Sequence, residues 1–148
     1  MPSRKKSTHE LRLRVFAGPN GSGKSTIIHS VRATKANGRP IDFGYYINAD
    51  DITQALRRKK FSFSSFRIRV TSQKIIEFAR QSGLLNKEFD SEMLERGFLL
   101  RNNSILLRQG IDHEKMGQIL ARFLREEMLR LRRRFSSSGI YIGLLPCL

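Results

Sequence analysis

The feature that most constrains this chain is a glycine-rich segment, Gly18-Pro19-Asn20-Gly21-Ser22-Gly23-Lys24-Ser25-Thr26, set between an apolar run and a helical pattern. Before it, Leu11, Leu13 and Val15 alternate with Arg12 and Arg14, and Phe16 and Ala17 carry the apolar character to the loop, so Leu11–Ala17 is expected as a strand. After it, Ile27, Ile28 and Val31 recur at helical spacing, and Gly38 with Pro40 marks the stop. The segment fits G-x-x-x-x-G-K-[ST] in the strand-to-helix setting that this motif requires. Such a loop wraps a triphosphate with inward-pointing backbone N–H groups, an approach that side chains at Gly21 and Gly23 would block. The first turn of the following helix adds unpaired N–H groups and the positive end of its dipole. Gly18, Asn20, Gly21, Ser22, Gly23, Lys24, Ser25 and Thr26 are therefore the expected nucleotide-binding residues. Lys24 is expected to reach the β and γ phosphates and to share in catalysis, and the Ser25 hydroxyl to ligate the metal, so ATP or GTP with Mg²⁺ is the implied cofactor pair.

The next stretch limits the chemistry further. Ile41–Asn48 contains the short β-prone run Tyr45-Tyr46-Ile47, and Asp50 and Asp51 follow where a helix N-cap belongs, ahead of Ile52, Ala55 and Leu56. Asp51 is the expected cap. Residues 11–56 thus spell strand, glycine loop, helix, strand, helix, a βαβ unit with parallel strands. Ligands of parallel α/β sheets sit beyond the carboxyl ends of the strands. Asp50 lies just past such an end, on a strand expected to neighbour the first. A carboxylate there accepts the proton of an attacking hydroxyl or holds Mg²⁺ through water, which makes Asp50 the expected catalytic base.

The remainder reads as mostly helical. Thr71 or Ser72 can cap a helix carrying Ile75, Ile76, Phe78 and Ala79, closed by Gly83. Phe98-Leu99-Leu100 and Ile105-Leu106-Leu107 flank Asn102-Asn103, a pattern that suits a hairpin or two helical fragments. The strongest helix is Asp112–Arg134, with Met116, Ile119, Leu120, Phe123, Leu124 and Leu131 as its apolar stripe and Arg122, Arg125, Arg132 and Arg133 off it. Ile140-Tyr141-Ile142 reads as a last strand. The expected fold class is α/β: a P-loop type of parallel sheet with flanking helices, a helical C-terminal half, and a sheet short of its full strand number. Residues 1–148 form one domain on this reading, with 1–10 as a flexible basic tail.

Composition narrows the surroundings. A hydrophobic fraction of 39% suits a globular chain, and no apolar run approaches the roughly 20 residues of a membrane span. The first ten residues lack the apolar segment of a secretory signal, and Cys147 is the single cysteine, so a reducing, cytoplasmic setting is expected and a membrane partner is not. With 28 Lys+Arg against 13 Asp+Glu, the net charge is +15. Such a charge attracts polyanions, which keeps nucleic acid among the candidate partners, and Phe61, Phe63 and Phe66 after the basic run Arg57–Lys60 offer rings for base stacking.

Together, Phe16-Ala17-Gly-Pro-Asn-Gly-Ser-Gly-Lys-Ser-Thr26 and Tyr46-Ile-Asn-Ala-Asp-Asp-Ile52 resemble the zeta-toxin family of P-loop kinases. The specific likeness covers about residues 13–52, and a vaguer one runs through the helix Gln118–Arg134. The resemblance implies that Asp50 is the general base and that a small acceptor such as UDP-N-acetylglucosamine receives the γ-phosphate. It also implies a toxin–antitoxin context with an antitoxin protein as partner. In that family the strand after the helix typically begins Phe-Ser-Phe-Glu-Thr, whereas this chain reads Phe135-Ser136-Ser137-Ser138-Gly139-Ile140, with neither Glu nor Thr.

Three functions compete on these residues. The first is a small-molecule phosphotransferase. The second is a transporter-type ATPase, which needs a Leu-Ser-Gly-Gly-Gln signature and an apolar strand ending in Asp-Glu, and neither occurs after Lys24. The third is a nucleotide-binding relative without turnover, aimed at nucleic acid by its charge. Arg101, Arg108, Arg122 and Arg125 are candidates for the arginine that stabilises transferring charge.

Overall fold

The computed structural model describes residues 14–16, 35–36, 38–40 and 44–138. Strand β1 (Arg14–Phe16) lies within the expected Leu11–Ala17, and β4 (Tyr45–Asn48) within the expected second strand. Between them β2 (Lys35–Ala36) and β3 (Arg39–Pro40) form a short antiparallel pair, and Gly38, at φ 75°, makes the turn that its lack of a side chain allows. The expected helix from Lys24 lies outside the described residues as far as 34, and its last expected turn, before the stop at Gly38, is corrected to strand β2, because Lys35 and Ala36 pair with Pro40 and Arg39 across the turn.

Helix α1 (Ala49–Arg58) follows β4 without a connecting loop. After it come β5 (Phe61–Ser62), a 3₁₀ turn (Phe63–Phe66), α2 (Ser72–Ser82), α3 (Ser91–Gly97), β6 (Phe98–Arg101), β7 (Ser104–Leu107), α4 (His113–Arg130) and β8 (Phe135–Ser138). Helix α2 begins where the sequence indicates: the Thr71 hydroxyl accepts from the Lys74 N–H, and Gly83 closes it at φ 73°. Asp112 caps α4 in the same way through the Lys115 N–H at 3.0 Å, but the helix stops at Arg130, short of the expected Arg134.

The structure decides one open expectation and changes another. Of the hairpin and the two helical fragments considered for residues 98–107 it takes the hairpin: β6 and β7 are antiparallel, β5 joins β7, and a three-stranded sheet of order β5-β7-β6 results. Asn102 and Asn103, at φ 51° and 59°, form the hairpin turn, and asparagine is among the few residues that enter the left-handed region readily. The change is in β8. It is parallel to both β1 and β4 and lies between them, in the order β1-β8-β4, so the first strand and the strand of Asp50 are not neighbours. A Phe-Ser-Ser-Ser segment carries almost no strand signal, and its place comes from backbone pairing on both edges. The expected strand at Ile140–Ile142 lies outside the described residues.

The described core centres on α4. Met116, Ile119, Leu120, Phe123, Leu124 and Met128 are fully or almost fully buried, with Ile47, Phe63, Ile75, Leu94 and Ile105 packed around them. Phe123 meets Phe63 and Phe78 edge-on, with ring centroids 6.2 and 5.5 Å apart, a favoured aromatic geometry. The predicted stripe holds, except that it is wider: Arg125 is only 7% exposed, not on the solvent face. Phe61, Phe63 and Phe66 are buried as well, so they are core residues and not the exposed stacking rings that their basic flank suggested.

Helices α1 and α4 pack closely because of one glycine. A Cβ on Gly117 would fall 2.0 Å from Thr53 Oγ1 and 2.9 Å from the Ala49 carbonyl oxygen. The Thr53 hydroxyl is held there by donating to that same carbonyl at 2.8 Å. Gly44 plays a similar part ahead of β4: it sits at φ 71°, and a Cβ would meet the Arg134 carbonyl oxygen at 2.0 Å. Gly117→Ala is expected to destabilise the fold by about 1–3 kcal/mol in urea unfolding. Adding Thr53→Ala should return part of that loss, because the two sites share one contact.

Candidate functional site

The parallel sheet ends in one row. Phe16 pairs with Ser138 and Ser138 with Asn48, so the carboxyl ends of β1, β8 and β4 are level. At a strand spacing of about 4.8 Å, Phe16 and Asn48 stand roughly 10 Å apart across β8. The chain leaves β1 at Phe16, two positions before Gly18 in sequence. Gly18, Asn20, Gly21, Ser22, Gly23, Lys24, Ser25 and Thr26 themselves lie outside the described residues.

Asp50 is the expected site residue that the structure describes. It occupies the first turn of α1, immediately beyond the carboxyl end of β4, and it is exposed. Its backbone is anchored by Asn48: the Asn48 Oδ1 accepts the Asp50 N–H at 3.0 Å, and Asn48 Nδ2 donates to the Tyr46 hydroxyl at 3.3 Å. Asn48 is therefore the N-cap, in extended backbone at φ −136°, and the expected cap at Asp51 is corrected to Asn48. The reason is register. The helix begins at Ala49, which puts both aspartates inside the first turn, where their negative charge complements the helix dipole. Tyr46 and Asn48, two residues apart on one face of β4, were not singled out from sequence, although an Asn directly before Ala-Asp-Asp is a capping signal.

The floor under this row is polar and dry. Ser136 and Ser137 are 2% and 1% exposed. Arg125 Nε donates to Ser137 Oγ at 2.6 Å, while Ser136 Oγ has no hydrogen-bond partner among the described residues. A buried guanidinium was missed because arginine at a helix position normally marks solvent. The available signal was Ala121, four residues earlier and fully buried, which widens the apolar face on Arg125's side. Of the other arginines considered, Arg122 donates to the Ser82 carbonyl at 3.0 Å, and Arg101 and Arg108 are exposed at either end of the β6–β7 hairpin.

Glu127, near the C-terminal end of α4, ties that helix to α2 through Lys74. It is 8% exposed and accepts from Lys74 Nζ and Arg130 Nη2, both at 2.9 Å. Burial pushes its carboxyl up, but the hydrogen bonds from Arg130 and Lys74, with their charge, outweigh burial and hold it below the ordinary glutamate range. The Glu127 carboxylate in turn raises the Arg130 guanidinium, through its hydrogen bond and its charge.

Among the described residues no cluster of three His, Cys, Asp or Glu side chains is gathered as a metal site, and no helix is long and apolar enough to cross a membrane. Compared with models of protein families, with curated proteins and with solved structures, the chain matches none of them.

Two measurements check this description. Asn48→Ala should cost about 1 kcal/mol in denaturant unfolding and Asn48→Asp much less, because Asp caps equally well. Glu127 has a folded pKa below its unfolded value near ~4.3, so its stabilising share is present above that value and lost as pH falls through the folded pKa. Glu127→Gln should therefore differ in stability from the parent by a constant amount at neutral pH, and the gap should narrow as pH falls below the ordinary glutamate range.

Proposed function

We propose that this chain is an ATP-dependent phosphotransferase that binds Mg²⁺–nucleotide on the loop Gly18–Thr26 and moves the γ-phosphoryl group to the hydroxyl of a small acceptor. The observation that carries this reading is the level row Phe16, Ser138, Asn48 at the carboxyl edge of the parallel sheet. It brings the strand that leads into the glycine loop and the helix start that bears Asp50 to one sheet edge, where ligands of such sheets bind. Exposure of Asp50 supports the reading too, because a base has to reach an acceptor from solvent.

The chemistry divides between two kinds of group. The backbone N–H groups of residues 18–26 and the Lys24 ammonium would meet the phosphate oxygens, and the Ser25 hydroxyl would hold Mg²⁺, which would supply further positive charge against the transferring group. Asp50 takes the proton of the acceptor hydroxyl as its oxygen bonds to the γ-phosphorus, and the bond to the bridging β–γ oxygen breaks, leaving ADP. The family that residues 13–52 resemble points to UDP-N-acetylglucosamine as the first acceptor to try. ATP and GTP are to be tried side by side.

A second reading, nucleotide binding without transfer, is favoured by one specific observation. Where the resembled family carries Glu and Thr, this chain has Ser138 and Gly139, which offer an acceptor neither a carboxylate nor a threonine hydroxyl. Acceptor-dependent release of ADP decides between the two. On the first reading Lys24→Ala abolishes nucleotide binding, whereas Asp50→Asn keeps binding and lowers transfer by at least about a hundredfold. Nucleotide bound equally by Lys24→Ala would overturn both readings, and tight binding with no ADP release for any acceptor hydroxyl would leave the second.

A further inference from the structure

Three segments remote in sequence meet at one face of the molecule, and all three are basic. Asn103 joins two of them: its backbone carbonyl accepts the Phe63 N–H at 3.0 Å, its Nδ2 donates to the Ile68 carbonyl at 2.7 Å, and its Oδ1 accepts the Val70 N–H at 3.0 Å. Arg133 joins the third: its Nη1 donates to the carbonyls of Phe66 and Arg67, each at 2.8 Å. The β6–β7 tip, the 63–70 loop and the turn after α4 are thereby knit together. Among the described residues the non-glycine positions at positive φ are Arg67, Asn102, Asn103 and Arg132, at 51°, 51°, 59° and 53°, and all four belong to this junction. Two arginines in the left-handed region cost free energy that the surrounding hydrogen bonds must offset, and such strain gathers where a surface is used.

The charge of the junction is one-sided. Residues 61–72, 98–109 and 128–138 contain no Asp or Glu. Arg67, Arg69, Arg101 and Arg132 are exposed on them, and Arg67 and Arg69 stand between buried Phe66, Ile68 and Val70, so their loop turns its apolar side chains inward and its guanidinium groups to solvent. The nearest described acid on α4, Glu127, is already engaged by Lys74 and Arg130.

We propose that this face, with Arg67, Arg69 and Arg132 as its principal contacts, docks the phosphodiester backbone of a nucleic-acid duplex. Arginine forks match phosphate oxygens, and a rigid backbone of regularly spaced phosphates suits guanidinium groups carried on two loops that are tied to each other. A single strand is disfavoured, since its recognition needs exposed rings for base stacking and Phe61, Phe63 and Phe66 are turned into the core. The assignment stands independently of phosphate transfer at Asp50.

The test is fluorescence anisotropy of the full chain with a labelled RNA duplex, a DNA duplex, a single strand of the same sequence and anionic lipid vesicles, over about 50–200 mM salt. Duplex affinity should fall linearly with salt on a logarithmic plot. Arg67→Asn, Arg69→Gln and Arg132→Asn together remove three charges while keeping residues that tolerate the left-handed backbone. That variant should lose roughly tenfold or more in affinity at about 100 mM salt, with the salt slope reduced by about 2–3. Lys87→Gln, Arg96→Gln and Arg108→Gln, removing equal charge at the opposite end of α2 and the hairpin, should change affinity by less than about threefold. Tighter binding of either duplex supports the assignment and names the source of the phosphates. Equal losses in the two variants, or a preference for the single strand or the vesicles, would overturn it. If the first variant melts below the parent, Arg67→Lys, Arg69→Lys and Arg132→Lys take its place: kept charge must keep the salt slope, and loss of binding there would overturn the assignment too.

Discussion

Backbone pairing along both edges of β8 is the constraint on which the rest of the described structure depends. Its four residues join β1 on one side and β4 on the other, so strands far apart in the chain become one parallel sheet. Parallel pairing needs a long connection, and α4 supplies it by running from the hairpin region to the turn before Phe135. The serines at 136 and 137 bring no bulk of their own to the core. Their small size admits α4 and the Arg125 guanidinium against the sheet, and the Ser137 hydroxyl meets that charge with a hydrogen bond. A larger apolar residue at 137 would leave the guanidinium without this acceptor in a region closed to water, which is costly.

The helices are placed by equally local means. Close contact between α1 and α4 exists because position 117 lacks a side chain opposite Thr53, and the start of β4 is fixed because Gly44 passes the Arg134 carbonyl where no Cβ fits. Tyr45 N–H then donates to that same carbonyl at 3.1 Å, which sets the register of β4 against β8. From this register follow the start of α1 at Ala49 and the position of Asp50 at the sheet edge. The proposed phosphate transfer and the proposed docking of a duplex thus draw on different parts of one frame: the carboxyl edge of the parallel sheet for the first, the loops tied by Asn103 and Arg133 for the second.

Local signals in the sequence were legible where the physics is local. Thr71 or Ser72 as a cap, Gly83 as a helix stop, a helix starting at about Asp112 and the stripe from Met116 to Leu124 each depend on neighbours within a turn or two, and the structure agrees with them, taking Thr71 as the cap. Errors arose where a partner distant in sequence decides. Phe135-Ser136-Ser137-Ser138 has no periodic apolar pattern, yet it is the central strand of the described parallel sheet, because strand pairing satisfies peptide groups whatever the side chains. Arg125 was placed outside by its charge and is inside because Ser137 lies opposite it. The cap moved from Asp51 to Asn48 by a shift of helix start too small for pattern reading to resolve.

By itself, the sequence determined the G-x-x-x-x-G-K-[ST] pattern at Gly18–Thr26 as the expected phosphate site, the short run Tyr45–Ile47 ahead of Asp50, and the basic charge of +15. Those properties reside in residue type and short spacing, which no tertiary contact can alter. Only the tertiary structure decided that β8 separates the first strand from the strand of Asp50, that the phenylalanines beside the basic run face inward, and that arginines from three segments share one face. Each of these is a pairing between distant parts of the chain, settled by which backbone groups and buried side chains find partners when the whole packs at once.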